Sequence, residues 1–249
     1  YKTALVDSSL QFGDVGITLN LRPTTSIIDV VDRINEFDAD FASSVMVEHD
    51  SGLKVLLAPP RPEMAEHVKS EHIDTLLKQL STIYEYVIVD TSSALNDITL
   101  TVLDASDCVM LTVQQNLASL ANTRRFFELL DILEYDSTKV SLVVNRVSDK
   151  LGISVKDISG TLKRQALVAI PADEITVTKA ANQGQPLVTS DRGRRDPLNS
   201  SFNKLSDGLE LLFEDKGDDS DGSASQNGSG SSSDKQKEKK SFFGSLFGR

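Results

Sequence analysis

Polar side chains follow directly after four apolar runs of the sequence: Asp7, Asp90, Asn145 and, just beyond Pro171, Asp173. Because parallel strands place their carboxyl ends on one edge of a sheet, we expect these four strand ends to converge on one ligand site. Carboxylates in such a place commonly hold Mg²⁺, directly or through its bound waters. The alternative is that each polar residue only caps the loop or helix that follows it.

Asp90 ends the clearest of these runs, residues 86–90 (YVIVD). A continuous apolar run without polar alternation predicts a strand that is buried on both faces of a parallel sheet. Asp90 is then either a ligand carboxylate at the strand end or, like Ser93, the N-cap of the next helix. Both interpretations remain open at this point.

Apolar patterns that predict strands alternate along the chain with patterns that predict helices. The predicted strands are residues 4–6, 52–58, 86–89, 108–113, 139–145 and 167–170, and the predicted helices are residues 26–34, 70–83, 98–105, 118–133, 155–162, 174–182 and 199–213. This alternation predicts an α/β fold, with a doubly wound, mostly parallel sheet that carries helices on both faces.

The composition narrows the classes of function. The 249 residues are 39% hydrophobic and 25% charged, which is sufficient for a globular domain over residues 1–213. The net charge of −11 argues against nucleic-acid binding, which needs clustered Lys and Arg. The single cysteine, Cys108, excludes a disulfide framework. We expect a cytoplasmic protein, because no segment resembles a leader or a membrane span.

The C-terminal residues change in composition twice. Residues 214–240 are mostly Gly, Ser, Asp and Lys, which predicts a disordered linker. Residues 241–249 form a short amphipathic tip with four large apolar side chains at helical spacing: Phe242, Phe243, Leu246 and Phe247. With the lysines before it, the tip is typical of an interfacial membrane anchor. The alternative is a peptide that docks in a groove of another protein.

A phosphate-binding loop of the form G-x-x-x-x-G-K-[ST] is absent from the sequence, since none of the 14 glycines is followed by Lys. No pair of residues suggests a nucleophile with its base. The predicted strand ends therefore provide ligand groups without a recognisable phosphate cradle.

Four segments resemble the MinD/ParA group of P-loop ATPases, and within it the CpaE/TadZ proteins of Tad-type (type IV) pilus assembly: residues 6–14 (VDSSLQFGD), 86–93 (YVIVDTSS), 143–146 (VVNR) and 179–187 (KAANQGQPL). The resemblance covers residues 1–213. It implies an ATP-switched homodimer with Mg²⁺ that positions pilus or secretion machinery, peripherally on the inner membrane.

The resemblance also implies roles for single residues. Asp90 matches the Walker B Asp, which acts on Mg²⁺ through water. Asn145 matches the Asn at the adenine edge, with Arg146 beside it. Pro171 and Asp173 match the Pro-x-Asp turn near the base.

Two departures from the family pattern bear on catalysis. Asp7 matches the first Asp of the Asp-x-Asp signature, but Ser9 stands where hydrolysing members carry the second Asp. Residues 91–93 (TSS) stand where the family usually has a pair of prolines. Because a hydroxyl cannot supply the charge of a carboxylate, we expect slow or absent hydrolysis. The alternative function is a non-hydrolysing scaffold that uses the fold for dimerisation and docking.

The family's first strand, phosphate loop and first helix would precede Tyr1. We therefore expect an N-terminally truncated domain with backbone groups left unpaired in the sheet. We also expect residues 1–249 alone not to bind ATP with ordinary affinity.

Overall fold

The computed structural model describes residues 1–22, 24–189 and 196–218, with the side chains of the last helix described to Phe213. Its strands are β1 (Thr3–Asp7), β2 (Val47–Glu48), β3 (Lys54–Leu56), β4 (Tyr86–Asp90), β5 (Val109–Gln114), β6 (Val140–Val147) and β7 (Ala166–Pro171). Its α-helices are α1 (Val15–Thr18), α2 (Ile27–Val31), α3 (Ala39–Val45), α4 (Ser70–Ile83), α5 (Asp97–Ala105), α6 (Leu117–Ile132), α7 (Val155–Leu162), α8 (Glu174–Gln183) and α9 (Pro197–Asp218). The predicted α/β fold class is confirmed.

The described strands form two sheets, with the orders β2-β3-β1-β4 and β5-β6-β7. All neighbours pair in parallel except β2, which forms an antiparallel edge with β3. Among the described strands, none pairs with the second edge of β4 or with the second edge of β5. The sheet is thus mostly parallel, as predicted, but in two parts.

The two sheets belong to two compact units of the chain. One unit contains the described residues of Tyr1–Asp107 and Glu174–Asp191, and the other those of Cys108–Asp173 and Arg192–Arg249. The first sheet and α8 lie in the first unit, whereas β5, β6, β7 and α9 lie in the second. Each unit therefore carries its own set of parallel strand ends.

The core of the first unit follows the predicted periodicity of α4. Four residues at helical spacing on α4 are buried against the sheet: Ile73, Leu76, Leu77 and Leu80. On the strands, Ala4, Val6 and Leu56 are buried in the same cluster. The apolar face of α4 stabilises this packing, because burial of such side chains removes apolar surface from water.

Helix α2 begins one residue after Ser26, within the predicted helix of residues 26–34, and it ends earlier than predicted, at Val31. Ser26 accepts a hydrogen bond from the backbone N–H of Ile28 at 3.3 Å. Asp29 reaches back to the backbone N–H of Ser26 at 2.8 Å, which completes a capping box.

Several details differ from the predictions. Strand β2 and helix α3 are too short to produce a periodic pattern, although Asp38 caps α3 through the N–H of Phe41 at 2.8 Å. Strand β4 is not buried on both faces, since Ile88 is 44% exposed. The faces of a parallel strand are covered by the helices that pack on the sheet, and Ile88 lies on a face that the described elements leave partly open. Of the described strands only β1 pairs with β4.

Helix α9 continues five residues beyond Phe213, into the segment predicted as a linker. The rest of that linker and the tip, with Phe242, Phe243, Leu246 and Phe247, lie outside the described residues. Within the described part of the chain, no helix is both long and apolar enough to cross a bilayer.

Candidate functional site

Asp7 and Asp90 are register partners at the carboxyl ends of β1 and β4. The chain leaves β1 through Ser8, which joins the two strand ends by two hydrogen bonds to the carbonyl oxygen of Asp90. The backbone N–H of Ser8 donates at 2.9 Å and its hydroxyl donates at 2.6 Å. The two aspartates predicted from sequence are therefore brought together on neighbouring strands.

The carboxylate of Asp7 is buried, with 1% of the residue exposed, and is held by backbone amides. Its Oδ1 accepts from the N–H of Ser9 at 3.1 Å, and its Oδ2 accepts from the N–H of Val15 at 3.3 Å. Burial raises the pKa of Asp7, against the lowering effect of these two hydrogen bonds, and the negative charges of Asp90 and Asp14 raise it further. Asp7 thus organises the loop between β1 and α1.

Gly13 lets the backbone of this loop pass directly over the Asp7 carboxylate. A Cβ at this position would collide with Oδ2 of Asp7 and lie 2.5 Å from the Cβ of Ala58. Only a residue without a side chain fits this close approach. Gly13 therefore helps to fix the position of Asp7.

Asp90 presents the exposed carboxylate of the pair. Desolvation by the surrounding protein raises its pKa, and the charge of Asp14 adds to this effect. A hard carboxylate beside a second acidic residue suits a Mg²⁺ ion that keeps most of its waters. Among the described residues no group of three or more His, Cys, Asp or Glu could hold a metal ion. The donor set therefore fits contact through water better than a closed protein cage.

Ser9 lies in the same loop, half-buried beside Asp7. Its hydroxyl donates to the carbonyl oxygen of Phe12 at 3.4 Å, so its polar atom is directed to the loop backbone. The acidic neighbour that the sequence interpretation missed is Asp14, the N-cap residue of α1, whose side chain makes no capping hydrogen bond. Its charge raises the pKa of both site aspartates.

In the second unit, Asn145 and Arg146 lie in a β-bulge of β6. Asn145 is opposite Gln114 of β5, and the register with β7 shifts between Val144 and Val147. Arg146 has a φ of 57°, in the left-handed region, and its N–H donates to Oδ1 of Asn145 at 2.8 Å. Such strain costs about 1–3 kcal/mol and is concentrated at functional sites.

Pro171 and Asp173 are joined to this bulge through the next residue of β6. Val147 is the register partner of Pro171, and its carbonyl oxygen accepts from the N–H of Ala172 at 2.9 Å. Asp173 follows at the end of this turn, half-buried. The structure therefore brings the Asn145–Arg146 bulge and the Pro-x-Asp turn together within one unit.

The predicted site residues thus form two groups, one in each unit. Asp7, Ser9 and Asp90 belong to the first, and the bulge and turn belong to the second. The convergence of both groups on one ligand stays a prediction. A further polar residue, Gln115, holds the second group and was missed, because it lies in a run of polar residues (QQN) without any motif.

Comparison with known proteins identifies the fold. No family model matches the chain. An uncharacterised ATP-binding protein of Methanocaldococcus jannaschii is 25% identical over 223 residues, which are 86% of this chain and 80% of that protein. The structure of a ParA family ATPase from Chlorobium tepidum superimposes with a TM-score of 0.76 at 20% identity, covering 84% of this chain and 86% of that chain. The chain has the MinD/ParA fold. The septum site-determining protein MinD of Pyrococcus horikoshii, solved with Mg-ADP, matches this fold with a TM-score of 0.72 at 16% identity over 86% of each chain.

The MinD/ParA fold agrees with the resemblance seen in the sequence at the level of the larger group. The segment VDSSLQFGD begins at the carboxyl end of β1 and continues through the loop that follows, and the segment YVIVD forms β4. The narrower likeness to CpaE/TadZ proteins stays a prediction.

Proposed function

We propose that this chain is the greater part of a MinD/ParA-type ATPase that binds Mg²⁺-ATP and acts as a nucleotide-switched homodimer. The observation that carries the proposal is the register pairing of Asp7 with Asp90 at the ends of two parallel strands. Strand ends of this kind are where α/β proteins bind ligands. The similarity to an ATP-binding protein of Methanocaldococcus jannaschii supports the same ligand class.

In this proposal the two groups of residues have different tasks. Asp90 would hold Mg²⁺ through a bound water, and Asp7 would hold the loop that carries Ser9. Mg²⁺ supplies positive charge to the phosphates of the nucleotide. Asn145 and Arg146 would contact the base, with Pro171 and Asp173 near it.

The lack of a described strand beside the second edge of β4 supports the proposal that a further strand, with its phosphate loop, precedes Tyr1 in the natural protein. Ile88 is exposed in the middle of β4, and none of the described strands pairs with the second edge of β4. A strand edge without a neighbouring strand offers backbone groups with which another strand can pair. A strand in this place would be followed by a loop at the same end as Asp90.

Titration calorimetry tests this proposal on two proteins, residues 1–249 and the full-length natural polypeptide. We expect the full-length protein to bind Mg²⁺-ATP at least 100-fold more tightly, because a phosphate loop supplies backbone N–H groups to the anion. Equal, tight binding by residues 1–249 would show that no further segment is needed.

Hydrolysis by this protein would be slow, because the loop after β1 offers the hydroxyl of Ser9 where hydrolysing members have a carboxylate. The second candidate function, a scaffold without turnover, is favoured by the contact of that hydroxyl with the carbonyl oxygen of Phe12.

The substitution Ser9→Asp in the full-length protein distinguishes a slow ATPase from a scaffold without turnover. A rise in ATP turnover of tenfold or more indicates a weakened ATPase, and unchanged turnover indicates a scaffold. Ser43→Asp, an exposed position on α3, is the matched control.

We further propose that the assembly positioned by this protein is a Tad-type pilus or secretion machine. The segments 6–14 and 179–187 support this assignment. The tip with Phe242, Phe243, Leu246 and Phe247 would hold the protein at the inner membrane. Co-sedimentation with anionic liposomes, with and without residues 241–249, tests the tip. Equal binding by the two proteins would favour docking on a protein partner instead.

A further inference from the structure

One peptide group links the two segments that are proposed to contact the base. The peptide that joins Val147 to Ser148 follows the Asn145–Arg146 bulge at the exit of β6. Its carbonyl oxygen accepts from the N–H of Ala172 at 2.9 Å, which connects it to the Pro-x-Asp turn. Its N–H donates to Oε1 of Gln115 at 2.6 Å. The orientation of this peptide therefore sets the geometry of the bulge relative to the turn.

Gln115 is buried, with 6% of the residue exposed, and both ends of its amide are used. Besides accepting from Ser148, it donates through Nε2 to the carbonyl oxygen of Ile153 at 2.7 Å. The side chain thus closes the loop from Ser148 to Ile153 at both ends. Buried amides that are satisfied in this way favour one arrangement of the segments around them.

Gln115 also directly follows the strand that pairs with the bulge. It directly follows Gln114, the last residue of β5 and the register partner of Asn145. The backbone of β5 therefore supports the bulge from one side, and the side chain of the next residue supports the peptide beyond the bulge. Arg146 adopts a strained φ of 57° between these two supports.

We propose that Gln115 is a positioning residue for recognition of the nucleotide base. The inference rests on the proposed function, because it assigns a task within the base half of that site. Gln115 holds the Val147–Ser148 peptide, and this peptide holds the bulge and the turn at a fixed separation. Loss of the two hydrogen bonds of Gln115 lets this separation vary, so that the proposed base contacts discriminate less well between adenine and guanine.

The test uses the full-length protein with the substitution Gln115→Met, which keeps the side-chain volume and removes both hydrogen bonds. Binding of ATP, GTP and tripolyphosphate is measured by calorimetry. We expect the Kd for ATP to rise about tenfold, in line with the loss of a buried hydrogen bond. The ratio of the Kd values for GTP and ATP falls towards one, and the Kd for tripolyphosphate stays unchanged. Gln79→Met, at an exposed position of α4, is the matched control.

A second variant and a nucleotide-free measurement complete the test. Gln115→Asn keeps both amide groups on a side chain that is one methylene too short to span Ser148 and Ile153, so we expect its selectivity to lie between wild type and Gln115→Met. In the absence of nucleotide, we expect the amide hydrogen of Ser148 to exchange at least tenfold faster in Gln115→Met.

Two results would overturn the inference. The first is a wild-type ratio of Kd values for GTP and ATP in Gln115→Met. The second is an equal weakening of ATP, GTP and tripolyphosphate, which would indicate a general structural role. A wild-type protein that binds no nucleotide overturns the proposed function itself, and this outcome is distinguished by the wild-type titration alone.

Discussion

The strand ends of the two units differ in the polar side chains that bind the backbone around them. In the first unit, charged carboxylates end β1 and β4, and backbone amides of the following loop satisfy the buried one. In the second unit, neutral amide side chains do this work, as Asn145 and Gln115 bind backbone groups around a bulge. The first arrangement keeps negative charge at partly desolvated positions, whereas the second holds Arg146 in a strained backbone conformation.

This difference indicates that the two sets of strand ends suit different ligand groups. Carboxylates beside one another are costly unless a cation joins them, which suits the metal and phosphate end of a ligand. Amide groups present both donors and acceptors, which suits the edge of a base. Substitutions in one unit at a time test this difference.

The largest effect is expected from Gly13→Ala in the first unit. The new methyl group would collide with the Asp7 carboxylate and with Ala58, so the free energy of unfolding should fall by about 1–3 kcal/mol. Urea unfolding measures this change. The matched control is Gly160→Ala on α7, where a Cβ meets nothing within 4 Å and where we expect a gain of about 0.5–1 kcal/mol. A neutral Gly13→Ala would show that the loop over Asp7 adjusts freely.

A smaller effect is expected from strain relief in the second unit. Arg146→Gly and Arg146→Ala remove the same long side chain, but only glycine accepts a φ of 57° without cost. We expect the glycine variant to be more stable by about 1 kcal/mol. Thermal unfolding of both variants checks this difference. Equal stability of the two variants would mean that the backbone at Arg146 is not strained.

The smallest effects are changes in stability with pH after substitution of one aspartate in each unit, and they have opposite signs in the two units. Because partial desolvation by the surrounding protein and the charge of Asp14 raise the pKa of Asp90, its ionised form destabilises the folded state at pH 7. We expect Asp90→Asn to stabilise the protein at pH 7, and the gain to fade as the pH falls towards the ordinary pKa of Asp. Urea midpoints at pH 7, 5 and 4 measure this trend.

Asp157 provides the contrast in the second unit. Hydrogen bonds from the side chain and backbone of Ser154 lower its pKa, so its ionised form stabilises the folded state above its ordinary pKa. Asp157→Asn should therefore be destabilising at pH 7, with a loss that disappears as the pH falls through the lowered pKa. Stability changes of the same sign and with the same pH trend in Asp90→Asn and Asp157→Asn would contradict this prediction.

The sequence predicted the fold class well, because the apolar periodicity of segments such as α4 requires one buried face whatever the tertiary context. It also predicted that polar residues end the strands, since that pattern is local. The exposure of Ile88 on β4 could not be predicted, because the burial of a strand face depends on which distant elements of the chain pack against it. The bulge at Arg146 and the hydrogen bonds of Gln115 could not be predicted either, because both depend on register between strands distant in sequence.

Asp7 and Asp90 show which features of a site the sequence predicts and which it does not. Each aspartate alone fitted a capping role, and Asp7 does hold its loop through the N–H groups of Ser9 and Val15. Asp90 instead keeps its carboxylate exposed. Two residues with the same local pattern therefore serve different purposes, and only the three-dimensional arrangement separates them.

The central claim is that the carboxylate end of β4 serves the metal side of a nucleotide site. The most direct measurement is the Mg²⁺ dependence of ATP affinity, by calorimetry on the full-length protein, for wild type and for Asp90→Asn. We predict that the substitution lowers the strengthening effect of Mg²⁺ by about 10- to 100-fold and leaves metal-free ATP binding intact. Asp157→Asn, remote from these strand ends in the sequence, should keep the wild-type dependence. An Asp90→Asn protein with an unchanged Mg²⁺ effect would contradict the account.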